Sequence, residues 1–223
     1  MTMPIRANAE KRRVLIVDDH PIVLRGLEEL LAREPDIEVC GGAESVADAL
    51  GQVEAARPDL VVVDVSLGES SGIDLIAEIN ARYPGVKTLV WSMHDEEMFA
   101  ERALRAGAMG YVNKKEPVGN VVQAMRQVLR GEMYASPQVT NALLRRVGGR
   151  APLDEDPIRT LSDRELQVFQ MLGHGMTTKE IAAKLELSPK TVDSHRENIK
   201  SKLDVRHAAD LNRRAVQWVL ENG

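Results

Sequence analysis

The sequence predicts an α/β doubly wound parallel sheet of five strands, a linker, and then a small all-α domain of four helices that contains a helix-turn-helix. Three observations predict it. Five apolar strand-like runs alternate with helix-periodic segments as far as Leu129, strand signals stop after Lys114 while helical periodicity continues, and a stretch rich in glycine, proline and charge separates the two regimes. The expected boundaries are a tail over 1–12, a first domain over 13–133, a linker over 134–157 and a second domain over 158–223.

The strand-like runs are Val14–Asp19, Ile37–Gly41, Leu60–Val65, Val86–Met93 and Gly110–Lys114. Between and after them lie Pro21–Arg33, Ser45–Ala56, Gly72–Arg82, Asp95–Ala106 and Pro117–Leu129, each with apolar residues at helical spacing. The third strand run is β-branched and nearly free of polar groups, the pattern of a strand buried on both faces of a parallel sheet. Strand, helix and strand repeated at this interval close right-handed βαβ units.

Length and composition narrow the functional classes. Two domains of ordinary size fit 223 residues, and 43% hydrophobic with 28% charged residues is the balance of a soluble globular chain. A lone cysteine, Cys40, excludes an intrachain disulfide and a multi-cysteine metal site, and it fits a reducing compartment. Met1–Arg13 has no apolar core of a secretion signal, and no run reaches membrane-spanning length, so the expected location is cytoplasmic, without a membrane partner. Charge is uneven: residues 1–157 carry 18 Lys+Arg against 25 Asp+Glu, whereas 158–223 carry 11 against 9. The halves face different partners.

No G-x-G-x-x-G and no G-x-x-x-x-G-K-[ST] follows a strand, so dinucleotide and P-loop chemistry lose their main warrant. What stands at the strand ends is mostly acid and base: Asp18 and Asp19, then Asp64, Ser92 and Lys114. In a doubly wound sheet all five converge on one rim, where ligands bind. Three close carboxylates repel one another, and a hard divalent cation with oxygen ligands, Mg²⁺ above all, relieves them. Asp64 is then placed to attack a phosphoryl group and hold it as an acyl phosphate. The Ser92 hydroxyl and the Lys114 ammonium suit phosphoryl oxygens. Any one of these residues alone reads more simply as a solvated loop residue; the five together do not.

Residues 13–130 resemble the receiver domain of two-component response regulators, through Asp18-Asp19, Val62-Val63-Asp64, Ser92 and Gly110-Tyr111-Val112-Asn113-Lys114. The resemblance implies Asp64 as phosphoacceptor, with Asp18, Asp19, Asp64 and the main-chain carbonyl of Ser66 as Mg²⁺ ligands. It also implies Ser92 and Tyr111 as the switch pair, the hydroxyl moving toward the phosphoryl group and the ring turning inward behind it. Otherwise Tyr111 reads as an ordinary half-buried strand aromatic. Leu67-Gly68, Asn113 and Lys115 depart from the commonest residues of that family at their positions, which bears on loop geometry and phosphoryl lifetime rather than on the reactive groups.

Beyond Asn141–Arg146, a short helical stretch, the run to Pro157 has no apolar periodicity and reads as a linker. Four helical segments follow. Ser162 and Glu165 have capping-box spacing, as do Thr177 and Glu180, and Gly173–Gly175 ends the first helix. Ser188 and Pro189 open another helix as N-cap and first helical residue, so two short helices joined by a turn make a helix-turn-helix. In that helix Val192, Ile199 and Leu203 form the buried stripe, and Lys190, Ser194, Glu197, Asn198 and Ser201 the opposite, groove-facing arc. Lys179, Lys184, Lys200 and Lys202 supply positive charge for phosphates. His195 reads as a half-buried packing or phosphate-contacting residue rather than a metal ligand. A helical protein-interaction module is the alternative for this half, since a net charge of +2 is low for a DNA binder.

Residues 160–205 closely resemble the LuxR-type helix-turn-helix, through Leu161-Ser162-x-Arg164-Glu165, Thr178-Lys179-Glu180-Ile181-Ala182, Leu187-Ser188-x-Lys190-Thr191-Val192 and His195-Arg196-x-Asn198-Ile199-x-x-Lys202-Leu203. That resemblance implies double-stranded promoter DNA as ligand, with Thr178, Lys179, Lys190, Thr191, Ser194, His195, Glu197, Asn198, Lys200 and Lys202 as contact residues. It also implies a dimer contact through the last helix, Ala208–Leu220. Together the halves resemble a NarL/FixJ-type response regulator. The implied partners are a sensor histidine kinase, a second copy in the active state and RNA polymerase, and phosphorylation is expected to free a recognition helix that the receiver covers. Two rivals share part of the pattern: a phosphohydrolase using Asp64, which has no use for the second half, and a phosphorylation-independent transcription factor with a vestigial receiver.

Overall fold

The computed structural model describes residues 11–68, 70–94, 96–137, 139–141 and 157–222. The chain divides into two compact units, Met1–Ala151 and Pro152–Gly223. The helix expected over 141–146 and the run that follows it lie, apart from Asn141 and Pro157, outside the described residues.

The first unit holds five parallel strands, β1 (Arg12–Val17), β2 (Ile37–Ala43), β3 (Leu60–Val63), β6 (Lys87–Ser92) and β7 (Tyr111–Asn113), in the order β2-β1-β3-β6-β7. All four side chains of β3 are buried, as are Val14–Val17 of β1, which is what an unbroken apolar run requires when helices cover both faces. Leu24, Leu27 and Leu31 of α1 (Pro21–Leu31) and Val121, Val122, Met125 and Val128 of α5 (Val118–Leu129) join Val14, Ile16, Leu60, Val62, Leu89 and Val112 in one core. The remaining helices are α2 (Val46–Ala56), α3 (Gly72–Arg82) and α4 (Glu96–Ala106). Ser45 caps α2 and Ser71 caps α3, each hydroxyl accepting a main-chain N–H of the first turn.

Strand β1 is shifted two residues toward the N-terminus of the run expected, the last two strands are each one residue shorter at both ends, and two further differences reshape the chain near the site. Strand β2 runs two residues further than expected, and its pairing with β1 shifts register between Val14 and Leu15, so that Gly41 and Gly42 still pair with the sheet. Strand β3 ends at Val63 instead of Val65, because the chain turns at Asp64 into a small antiparallel ladder, β4 (Ser66–Leu67) with β5 (Ser70–Ser71). Gly68 lies in this turn with a φ of 58°, a conformation that costs glycine least. Chain order reverses across β1 and β3, so the carboxyl ends of these two strands form the switch-point crevice of the sheet.

In the second unit a 3₁₀ turn (Pro157–Thr160) leads into α6 (Asp163–Gly173), α7 (Thr178–Lys184), α8 (Pro189–Lys202) and α9 (Ala208–Asn222). Both expected capping boxes are formed, Ser162 with Glu165 and Thr177 with Glu180. Ser188 caps α8 by accepting the Thr191 N–H, with Pro189 at the first helical position. Val192, Ile199 and Leu203 are buried as the periodicity requires. Helices α6 and α9 approach so closely that a Cβ on Gly173 would stand 2.5 Å from the carbonyl oxygen of Ala215. Among the described residues no helix is long and apolar enough to cross a membrane.

Glu165 serves twice, accepting the Ser162 N–H at 2.7 Å and the Lys202 ammonium at 2.6 Å. Burial works to raise its carboxyl, but the bonds from Lys202 and Ser162 outweigh it and hold the group below the usual carboxylate range. A carboxyl depressed on folding stabilises above its unfolded value and loses that contribution as pH falls through its folded value. Glu165→Gln is therefore expected to lower the thermal midpoint of this unit at neutral pH by an interaction worth on the order of 1 kcal/mol. Circular dichroism melts of wild type and variant should converge as pH falls below the usual carboxylate range; a gap that stayed constant in acid would rule the ion pair out as its source.

Candidate functional site

Main-chain bonds at the ends of β1 and β3 place the acids. The Asp18 N–H donates to Ala43 O at 3.0 Å and the Asp64 N–H to Val17 O at 2.9 Å, so each carboxylate leaves the sheet at a fixed point. Both side chains are buried, with Asp18 2% and Asp64 6% exposed. Lys114 follows β7, its N–H donating to Ser92 O at 2.8 Å, and its ammonium lies 2.5 Å from Asp18 Oδ2 and 2.5 Å from Asp64 Oδ2. The Ser92 hydroxyl donates to Asp64 Oδ1 at 2.5 Å. Both oxygens of Asp64 are thus held, one by a neutral donor and one by a cation.

Burial raises the Asp18 carboxyl above its ordinary value, against the pull of Lys114 and with the help of the neighbouring Asp64. Burial works to lower Lys114, but Asp64 and Asp18 outweigh it, so the ammonium is held in its charged form. Asp19 completes the acid set. Its Oδ2 accepts the Gly68 N–H at 2.8 Å, and its buried Oδ1 accepts no hydrogen bond among the described residues, although His20 Nδ1 lies 2.7 Å away as an ion-pair contact. Burial lowers the His20 imidazole, and Asp19 and Asp18 outweigh that to raise it. One ligand atom each from Asp18, Asp19, His20 and Asp64 lie within 4.8 Å of one another. Three hard carboxylates that can bring one oxygen each this close fit a small divalent cation.

Around this pocket stands a second ring of contacts that centres on His94, which sequence reading passed over. The Tyr111 hydroxyl donates to the His94 carbonyl at 3.1 Å and the Asn113 amide donates to the same oxygen at 2.9 Å. The His94 N–H reaches Ser92 Oγ at 3.4 Å, and its ring Nε2 lies 2.8 Å from Ser66 Oγ. Tyr111 is 1% exposed, so its ring is fully inside rather than half-buried, and Ser92 is buried beside the acid. The expected switch pair therefore meets at one loop. Nothing in the periodicity marks His94, since its contribution is a main-chain carbonyl. Asn113, at a position where an apolar residue is usual in the family resembled, was the available signal.

Gly72 was also missed as a site residue. A Cβ there would stand 1.8 Å from the Asp64 carbonyl oxygen, so only glycine lets α3 begin against the acid's own backbone. Trp91 lies with its ring centroid 5.4 Å from the Lys114 ammonium, a cation–π contact at the pocket edge.

In the second unit α7 presents Lys179, and α8 presents Lys190, Ser194, Glu197 and Asn198, at the surface. His195 is half-buried, as expected. Thr178 and Thr191 are engaged within the protein. The Thr178 hydroxyl donates to Asp193 at 3.3 Å and accepts from Arg196 at 2.5 Å, which clamps α7 onto α8, and the Thr191 hydroxyl pairs with its N-cap Ser188 at 2.8 Å. Two lysines expected to face phosphates are ion-paired instead: Lys200 with Glu197 at 2.8 Å and Lys202 with the buried Glu165 at 2.6 Å. Lys179, Lys184 and Lys190 remain exposed.

Comparison with known proteins matches residues 14–126 to the response regulator receiver domain and residues 159–215 to the bacterial regulatory proteins of the luxR family. Among curated relatives, the transcriptional regulatory protein UhpA of Escherichia coli is 36% identical over 201 residues, 90% of this chain and 96% of that protein. The oxygen regulatory protein NreC of Staphylococcus carnosus is 35% identical over 205 residues, 89% and 94% of the two chains. Among solved structures, RcsB from Salmonella enterica serovar Typhimurium, bound to promoter rprA in the presence of phosphomimetic BeF3-, is 25% identical with a TM-score of 0.59, covering 92% of this chain and 98% of that one. With both halves matched in order along nearly its whole length, the chain belongs to the two-component response regulators of the NarL/FixJ type, transcriptional regulators that join a receiver domain to a LuxR-type DNA-binding domain.

Proposed function

We propose that a sensor histidine kinase transfers a phosphoryl group to Asp64, and that the phosphorylated chain pairs with a second copy to bind double-stranded promoter DNA through the helix-turn-helix at 177–196. One observation carries the first half: a buried carboxylate whose two oxygens are held by Ser92 and Lys114, beside a second buried acid, at the switch point of the sheet. An oxygen of Asp64 attacks phosphorus while the bond to the kinase histidine breaks, leaving an acyl phosphate. Ser92 and Lys114 release the carboxylate and rebond to phosphoryl oxygens, and Tyr111 follows Ser92 through their common contact at His94. Asp18, Asp19, Asp64 and the Ser66 main-chain carbonyl are the groups that would hold Mg²⁺. When bound, the ion neutralises the incoming phosphoryl oxygens.

Exposed Lys179 and Lys190 serve phosphates, with Ser194, Asn198 and Glu197 turned to base edges and His195 at the margin. Thr178 contributes chiefly by holding α7 to α8, Thr191 and Lys200 by bonds within α8, and Lys202 by tying α8 to α6. Binding to one half-site is weak for a single domain, so a dimer on a near-palindrome is the active form. RNA polymerase is the further partner at the promoter, and the cytoplasm the site of action. The receiver chemistry is self-modification rather than turnover of a substrate. A vestigial receiver has no need of the intact acid, hydroxyl and lysine set, which favours the phosphorylated reading.

Intact mass after incubation with Mg²⁺ and acetyl phosphate is expected to show one added phosphoryl group in wild type and none in Asp64→Ala. Gly72→Ala, whose methyl must displace the Asp64 backbone, should be phosphorylated poorly and lose about 1–3 kcal/mol of stability. No adduct in wild type, with this donor or a kinase, would leave the phosphorylation-independent reading. In a Trp218→Phe background, Trp91 fluorescence should change on titration with Mg²⁺, and Asp19→Asn should abolish the change; an equal response in the variant would remove Asp19 from the ligand set. Lys190→Ala and Asn198→Ala should each weaken binding to a regulated promoter, by about 1–3 kcal/mol where a base contact is lost, with unchanged circular dichroism. Full binding by both variants would mean another face reads DNA.

A further inference from the structure

Strand β7 carries Tyr111 at its start and Lys114 just past its end, and it is the edge of the sheet. An open edge invites pairing, and here the chain itself supplies the partner. After α5 and the left-handed Gly131, Tyr134 forms a parallel bridge to Gly110. The Tyr134 N–H donates to Met109 O at 2.9 Å, and the Tyr111 N–H donates to Tyr134 O at 3.4 Å. Fit at this point is close: a Cβ on Gly110 would stand 2.7 Å from Tyr134 O and 3.0 Å from Tyr134 Cβ. From the helix side, the Gln127 amide holds Met133 O at 2.6 Å.

Tyr111 is therefore bonded in two directions. Its hydroxyl holds the His94 carbonyl in the loop after Ser92, and its main-chain N–H holds Tyr134, where the linker begins. A movement of Ser92 or of the Tyr111 ring that shifts β7 acts directly on that second bond. At 3.4 Å the bond is long and gives before the strand's inner ladder with β6 does.

We propose that Tyr134 is a positioning residue of the switch: through main-chain bonds to the strand that carries Tyr111, it converts the state of the Asp64 pocket into docking or release of the first linker residues. This rests on the phosphorylation of Asp64 proposed above. The side chain of Tyr134, which packs on the receiver core, anchors the segment, and the bridge to Gly110 is the part that responds.

The test uses the full chain as wild type, Asp64→Ala, Gly110→Ala and Gln127→Ala, each with and without acetyl phosphate and Mg²⁺. Phosphoryl uptake is read by intact mass, promoter affinity by fluorescence anisotropy, and amide hydrogen exchange over 133–136 by mass spectrometry. Phosphorylation should change exchange in that segment of wild type but not of Asp64→Ala. Gly110→Ala, whose methyl meets Tyr134 O, and the gentler surface change Gln127→Ala should take up the phosphoryl group as wild type does. Both should lose part of the phosphorylation-dependent gain in promoter affinity, by about tenfold for Gly110→Ala, within the usual range of coupling between sites. Should Gly110→Ala fail to fold, Gln127→Ala and the wild-type exchange data decide. Wild type that takes up no phosphoryl group removes the proposed function and this inference with it. Phosphorylated wild type with unchanged exchange at 133–136, or folded variants with the full affinity gain, overturns the inference alone.

Discussion

The ammonium of Lys114 between the carboxylates of Asp18 and Asp64 is the contact on which the receiver unit depends. Two buried acids on adjacent strands repel each other and lose hydration, and neither cost is bearable without a cation in the same pocket. Lys114 reaches them because Tyr111 lies in register with Val90, Val63 and Val17, so that β7 carries the chain past the ends of β1 and β3 to the rim where the acids stand, which requires the five strands to be parallel and in this order. The apolar core beneath, from Val14 to Val128, is what holds those strand ends in register. Removing the lysine would leave an uncompensated buried pair rather than a neutral gap. The pocket described here is therefore itself a bonded state. The phosphorylation proposed above exchanges partners among Ser92, Lys114 and Asp64 rather than building a site from free groups, and an exchange of that kind keeps two states close in free energy, as a switch needs.

Much of this was legible in the sequence, for identifiable reasons. The β3 run, uniformly apolar and ending on one acid, fixed both the fold class and the place of Asp64, because a strand buried on both faces tolerates no other pattern. The capping boxes at Ser162 and Thr177 marked the helix starts, since a side chain three residues into a helix has one strong use there. What escaped was chemistry carried by backbone and by surface pairing. His94 matters through a carbonyl that every residue possesses, and Gly72 through the absence of a Cβ. The two-residue ladder after Asp64 has no periodicity to find. Lys202 reads as a free cation in the sequence because its acid partner, on α6, becomes a neighbour only in the folded unit, whereas the pairing of Lys200 with Glu197, three residues earlier on the same helix, is legible there.

The second unit depends on a different economy of contacts. Its net charge is small, yet several of its cations are committed internally, which leaves Lys179 and Lys184 on α7 and Lys190 at the start of α8 as exposed lysines of the helix-turn-helix. Glu165 belongs to the cap of α6 and to the far end of α8 at once, so these two helices share one carboxylate. Gly173 allows α9 to close on α6 from the other side. The result is a small domain in which orientation, rather than bulk of core, limits what the recognition helix can present.

The Thr178 clamp divides α8 into two populations of side chains. Thr178, Asp193 and Arg196 lock the helix pair together, while Lys190, Glu197 and Asn198 stand exposed. Residues of the second kind can be exchanged at little cost to folding, because surface positions outside such a brace change stability only slightly. On the proposed reading of DNA by these exposed side chains, a duplicated copy of this chain is free to acquire a new operator by drift at a handful of positions, with the scaffold that aims them left intact. Diversity of sequence reading and constancy of fold are separable properties of one helix.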